Sequence, residues 1–193
     1  MIPRAPDDLK RSVVGIPVHE RWVADLGIRG YASFASPASI LRLFRAEAGR
    51  AIVLSRRLPR EQASRIVTIR RFPGIEDSSR HWSVYMTLDH LAMVNTAITA
   101  LLHAMCSGCD HEIEIQNEDV WPHADVGSDR IQALGATVER YSRLIERLGP
   151  LNARARHPHP WFGPLTARQW HALAAIHNRT HRIQIEKIVR RLN

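Results

Sequence analysis

Four stretches of this 193-residue chain repeat apolar residues at the spacing of one helix face, and each is bounded by residues that start or stop a helix. Ser36-Pro37 opens the first with a capping residue and a proline at the first helical position. Ile40, Leu41, Phe44, Ala48, Ala51, Ile52 and Leu54 form its stripe, which ends near Leu58-Pro59. The second runs from about Ser83 to about Met105 through Val84, Leu88, Leu91, Val94, Ile98, Leu101 and Leu102, and Ser107-Gly108 stops it. The third starts at Ser128-Asp129 and carries Ile131, Leu134, Val138, Tyr141, Leu144, Ile145 and Leu148 before Gly149-Pro150. The fourth begins at the Thr166 cap and runs almost to the C-terminus. Helices of about 20 residues bury such stripes best against one another, so the expected fold is all-α, a four-helix bundle with almost no strand.

The segments between these stretches are polar. An Arg-rich connection crosses Phe72-Pro73-Gly74 and Asp77-Ser78-Ser79, and a long irregular loop joins the second and third helices, with Glu112-Ile113-Glu114-Ile115 as a short extended piece. Residues 1–36 match neither the helical nor the strand period and are expected to be an N-terminal extension packed on a bundle of residues 37–193.

With 45% hydrophobic and 24% charged residues the balance is that of a globular protein with a sizeable core rather than a fibrous or disordered one. Charges and prolines interrupt Met1–Gly15 where a secretory leader would need an apolar run, and Asn95 and His103 interrupt the most apolar stretch. The expected location is therefore the cytoplasm, with no membrane partner. Cys106 and Cys109 are too few for a disulfide scaffold. Their Cys-x-x-Cys spacing, followed by His111, has no second cysteine pair and sits at a helix end, so it reads as an ordinary terminus rather than a zinc knuckle or a redox motif.

Lys and Arg outnumber Asp and Glu by 27 to 19, a formal charge of +8, and ten arginines fall between Arg42 and Arg80. No aromatic residues alternate with them as a platform for stacked bases would require, so they read as a solvated face. The alternative is a non-catalytic bundle whose Arg-rich face binds an anionic partner such as nucleic acid. No Gly-rich phosphate loop and no Gly-x-Ser-x-Gly elbow occurs, which leaves the histidines to carry any chemistry.

His177 and His181 are four residues apart on the fourth helix, so both imidazoles project from one face and can reach one metal ion. Asn178 follows the first of them, which excludes a His-Glu-x-x-His protease motif. A third donor must come from another element, and His90, central in the second helical stretch, is best placed. Gln184 lies on the same face as His181 and is expected to orient a ligand or bound water from behind the metal ligands. Trp161, Phe162 and Trp170 read first as packing residues and second as a pocket wall. His159-Pro160 reads as a turn, and His103, His123, His157 and His171 have no partner spacing.

These residues carry a resemblance. His90 in Leu88-Asp89-His90-Leu91, the run His159-Pro160-Trp161-Phe162-Gly163-Pro164-Leu165-Thr166, Trp170, and His177-x-x-x-His181-x-x-Gln184 together resemble the DinB/YfiT-like four-helix-bundle metalloproteins, over roughly Pro37 to the C-terminus. The resemblance implies a divalent metal, zinc or nickel, held by His90, His177 and His181. It also implies a cytoplasmic enzyme of the stress-response type acting on a small-molecule substrate, either a transferase using a low-molecular-weight thiol or a hydrolase. A homodimer is left open. One departure is that relatives often carry adjacent histidines at the end of the triad, where this chain has Thr180 before His181. Three neutral imidazoles leave a coordination position open, which is the catalytic rather than the structural pattern for zinc.

Overall fold

The computed structural model describes residues 15–108, 113 and 117–192, and its helices begin where the capping chemistry allows. In chain order the helices are α1 (Val18–Phe34), α2 (Pro37–Arg56), the single turn α3 (Arg60–Ser64), α4 (Val84–Ser107), α5 (Asp129–Leu148) and α6 (Ala167–Leu192). The Ser36 hydroxyl accepts from the Ser39 N–H at 3.1 Å with Pro37 behind it, and the Ser83 hydroxyl accepts from the Met86 N–H at 3.1 Å. Thr166 and Gln169 cap α6 reciprocally, each side chain accepting the other's backbone N–H. Gly108, at φ +79°, ends α4 in the left-handed conformation that a Cβ would strain. Ser128 does not cap α5 through its side chain; the Gly127 carbonyl accepts the Arg130 N–H at 3.1 Å instead.

α2, α4, α5 and α6 form the bundle: α2 packs on α5 and α6, and so does α4. One part of the core gathers around Phe44, Tyr141, Leu101 and Trp170, the other around Leu88, Leu91, Leu134 and Ile185. Full burial of such a side chain stabilises the fold by about 1.5–3 kcal/mol. Phe44 and Tyr141 stack at 4.0 Å between centroids. Several polar groups among them are paired: His171 links the Tyr141 hydroxyl (2.6 Å) to the Pro37 carbonyl (3.0 Å), and Asn178 joins the Asn95 amide N–H to the Phe44 carbonyl.

One expectation requires correction. Within residues 1–36, Val18–Phe34 form a regular helix that packs on α6. Its period is hidden because apolar residues occur all round it: Ile28 and Ala32 are buried while Val18, Trp22, Val23, Leu26 and Phe34 are exposed. Residues 1–14 lie outside the described residues, as do most of Glu112–Ile115, Cys109 and His111. Strand among the described residues is confined to one short hairpin, in line with the expectation of almost none. β1 (Arg156–His159) and β2 (Gly163–Thr166) pair antiparallel, with His157 opposite Leu165 and His159 opposite Gly163, and this hairpin delivers the chain to α6.

The connection between α2 and α4 is ordered by local bonds. Glu20 of α1 takes a bidentate ion pair from Arg71 at 2.7 and 2.8 Å and the Gly74 N–H at 3.0 Å. A 3₁₀ turn at Ser78–His81 then carries the chain into Trp82 and α4.

Candidate metal centre

His90 on α4 and His177 and His181 on α6 converge, with one ligand atom from each lying within 4.8 Å of the others. His90 Nε2 and His177 Nε2 are 3.1 Å apart. Two metal–nitrogen bonds of about 2.0–2.1 Å at a tetrahedral angle put their nitrogens about 3.3 Å apart, so this pair needs little adjustment to share an ion.

Partners on the far side of two rings decide which nitrogen faces inward. His90 Nδ1 lies 2.6 Å from the Val120 carbonyl, which can only accept, so Nδ1 carries the proton and Nε2 presents its lone pair. Gln184 donates its amide N–H to the Ser79 carbonyl at 2.7 Å, leaving its oxygen to accept from His181 Nδ1 at 2.6 Å. His181 Nε2 is thereby a lone pair as well. Gln184 is wholly buried and stands behind His181 rather than in the cavity. His177 Nδ1 is buried with no hydrogen bond among the described residues, and its Nε2–H donates to the His90 Nε2 lone pair at 3.1 Å, so His177 would have to give up or move that proton to bind an ion.

Burial holds all three imidazoles neutral. Desolvation lowers His90 from 6.5 to about 4, against opposing help from the Val120 carbonyl and Asp89. Desolvation, then the neighbouring imidazoles, push His177 and His181 well below the usual histidine range. Two neutral imidazoles with inward lone pairs, and a third whose proton can move to its unpaired Nδ1, form the donor set a divalent ion such as zinc requires, so the residues fit a resident metal.

Several contributors were not legible in the sequence. Trp82, just before α4, stacks over His181 with rings 13° apart and tilts against His90 at 5.0 Å. Asp89, 1% exposed, accepts the backbone and side-chain N–H of His123 at 3.0 and 2.8 Å and the Arg130 guanidinium at 3.1 Å. Asp89 and His90 together therefore pin the Val120–His123 segment against α4, which sets Trp121 edge-on to Trp82. The Asp-His dipeptide was the only available signal, and its partner lies 34 residues away.

The histidines border a cavity of about 190 Å³. Four of the chain's five tryptophans, Trp82, Trp121, Trp161 and Trp170, line it with Phe162, so the aromatic residues after His159 are wall as well as packing. α1 closes one side through Ala24 and Ile28. Despite the +8 charge, no Lys or Arg is among the described lining residues, and Glu76 is the one charged side chain there. Several of the ten arginines between Arg42 and Arg80 are engaged elsewhere: Arg45 with Glu146 and Ser142, Arg50 with Glu47, Arg71 with Glu20, and Arg80 with Asp77. Cys106 is half-buried, and burial pushes its thiol up.

No family model and no curated protein matches the chain. Among solved structures it is similar to TT2238, described as a four-helix bundle protein, with a TM-score of 0.56 over 78% of this chain and 98% of that one. At 18% identity the likeness shows the fold alone, and the fold is a helical bundle. No helix among the described residues is long and apolar enough to cross a membrane.

Proposed function

We propose that His90, His177 and His181 hold one divalent metal ion, zinc or nickel, and that the protein is a metal-dependent enzyme of the DinB/YfiT-like type acting on a small molecule. The observation that carries this reading is the convergence of three imidazoles beside an apolar cavity with two rings oriented from behind, His90 by the Val120 carbonyl and His181 by Gln184. A divalent metal held by these three imidazoles would keep an open position and would lower the pKa of a bound thiol or water toward neutrality.

The chain's own part is orientation and exclusion of water. Val120 and Gln184 fix two rings, Trp82 covers His181 and His90, and the tryptophan-rich wall keeps the reacting centre dry. Among the described residues no Cys lines the cavity, and Ser79, which does, is buried in the turn before α4. The most economical chemistry is therefore attack by a low-molecular-weight thiol on an electrophile seated in the cavity, as a thiol S-transferase would perform. Glu76 in the wall favours a second reading, hydrolysis, because a carboxylate there can take a proton from water.

Metal content of tag-free protein tests the site. One equivalent is expected, falling sharply in His90→Ala, His177→Ala and His181→Ala and unchanged in His103→Ala, whose ring is exposed. His171→Ala is unsuited as a control because His171 holds Tyr141 and Pro37. Full occupancy in His90→Ala would overturn the cross-helix site. Thiol consumption with a model electrophile then separates the chemistries: acceleration lost in His177→Ala supports transfer, whereas ester hydrolysis lost in Glu76→Gln supports the second reading.

A further inference from the structure

The cavity wall contains a fourth histidine that the metal reading does not use. His159 ends β1, and the Trp161 backbone N–H reaches its Nδ1 at 3.1 Å. A backbone N–H can only donate, so Nδ1 is a lone pair and the proton of the neutral ring sits on Nε2. Its plane is fixed by a stack on Phe162 (4.6 Å, 28°) and by Trp170 at 5.2 Å. The Nε2–H has no hydrogen-bond partner among the described residues, although the side chain is partly buried and forms part of the cavity wall.

Size and charge limit what this donor meets. An apolar cavity of about 150 Å³ accepts benzene, so 190 Å³ admits a single ring with a small substituent. The aromatic wall favours a flat apolar body. An anionic group finds no cation among the described lining residues. We propose that the cavity takes an uncharged, ring-sized apolar compound bearing a carbonyl-type acceptor oxygen, and that the Nε2–H of His159 holds that oxygen. As a substrate class this rests on the metal-dependent reading above; as a binding site it stands without it.

The test uses acetophenone, ethylbenzene, which has the same shape without the acceptor, and benzoate, titrated calorimetrically into chelator-treated full-length protein. Acetophenone is expected to bind about five- to tenfold more tightly than ethylbenzene, the worth of one neutral hydrogen bond, and more tightly than benzoate. His159→Phe keeps the ring stack and removes the donor, so it should erase the acetophenone advantage and leave ethylbenzene affinity unchanged. Equal affinities in wild type, or an advantage surviving in His159→Phe, would overturn the assignment to His159. Tightest binding of benzoate would overturn the uncharged class. Should His159→Phe fail to fold, nitrogen-15 spectra of wild type decide: the His159 Nε2–H resonance must shift with acetophenone and not with ethylbenzene, and an unmoved resonance rejects the contact. Because these measurements use metal-free protein, loss of the acceptor preference leaves metal content untouched. Failure to bind metal likewise leaves the preference in place.

Discussion

The Nδ1–H of His181 donates to the amide oxygen of Gln184 at 2.6 Å, and the same amide donates on to the Ser79 carbonyl. Gln184 thus couples a candidate metal ligand to the turn before α4, which also supplies Trp82 above the His181 ring.

That coupling makes Gln184 a residue of affinity. Gln184→Leu removes the acceptor, frees the His181 tautomer and leaves the Ser79 carbonyl unpaired, so metal affinity should fall about 10- to 100-fold. Gln184→Glu restores an acceptor for Nδ1 but faces the Ser79 carbonyl with oxygen, and it should lie between wild type and the leucine variant. Competition with a chromophoric chelator measures this; an affinity within threefold of wild type for Gln184→Leu would detach Gln184 from the site.

The ion pair between Glu20 and Arg71 should tie α1 down over the cavity. Its side chains are 13% and 26% exposed, so screening is incomplete, and Arg71 holds the Glu20 carboxyl below its ordinary value. Glu20→Ala should cost about 1 kcal/mol or somewhat more and speed amide exchange in Val18–Phe34 more than in α5. Exchange rising uniformly through the chain would mean that α1 is held by its apolar face alone.

How far the site could be read in advance follows from sequence distance. His177, His181 and Gln184 share one face of one helix, so the 3.6-residue period places them without tertiary information, and His90 stood out as an imidazole inside an apolar stripe. What the period cannot show is the far side of each ring. Val120 meets His90 across 30 residues, Ser79 meets Gln184 across 105, and Asp89 meets His123 through a loop with no periodic signal. α1 was missed for the opposite reason, since apolar residues on every face blur the stripe that marks a helix. The hairpin was missed because its strands are four residues each, too short for alternation to show.

Tyr141 and His171 give a stability prediction independent of any metal. The Pro37 carbonyl fixes the proton on His171 Nε2, so Nδ1 accepts from the Tyr141 hydroxyl in a site with almost no water. Tyr141→Phe leaves one buried acceptor unpaired and should cost about 1–3 kcal/mol. His171→Ala opens a cavity and strands both partners, and should cost about 3–5 kcal/mol. Denaturant midpoints with unchanged m-values would check both; a neutral Tyr141→Phe would show that the hydroxyl is satisfied elsewhere.

His171 also sets a direction for acid sensitivity. Desolvation lowers its pKa from 6.5 to about 4, only partly offset by the Pro37 carbonyl, so between those values the unfolded chain binds a proton that the folded protein refuses. Stability contributed by keeping this ring neutral is fully present above about pH 6.5 and is lost as pH falls toward 4. A shift of this size is worth on the order of 3 kcal/mol for one group. His81, His90, His159, His177 and His181 shift the same way, so the decline sums several rings. Above pH 5 the carboxylates add little, because their ordinary range lies lower. Urea midpoints of chelator-treated protein should therefore be flat from pH 8 to 7 and decline steadily from pH 6.5 to 5. A midpoint unchanged across that lower window would mean that the folded protein accepts the proton on His171, and the bridge from Tyr141 to Pro37 would have to open to let it.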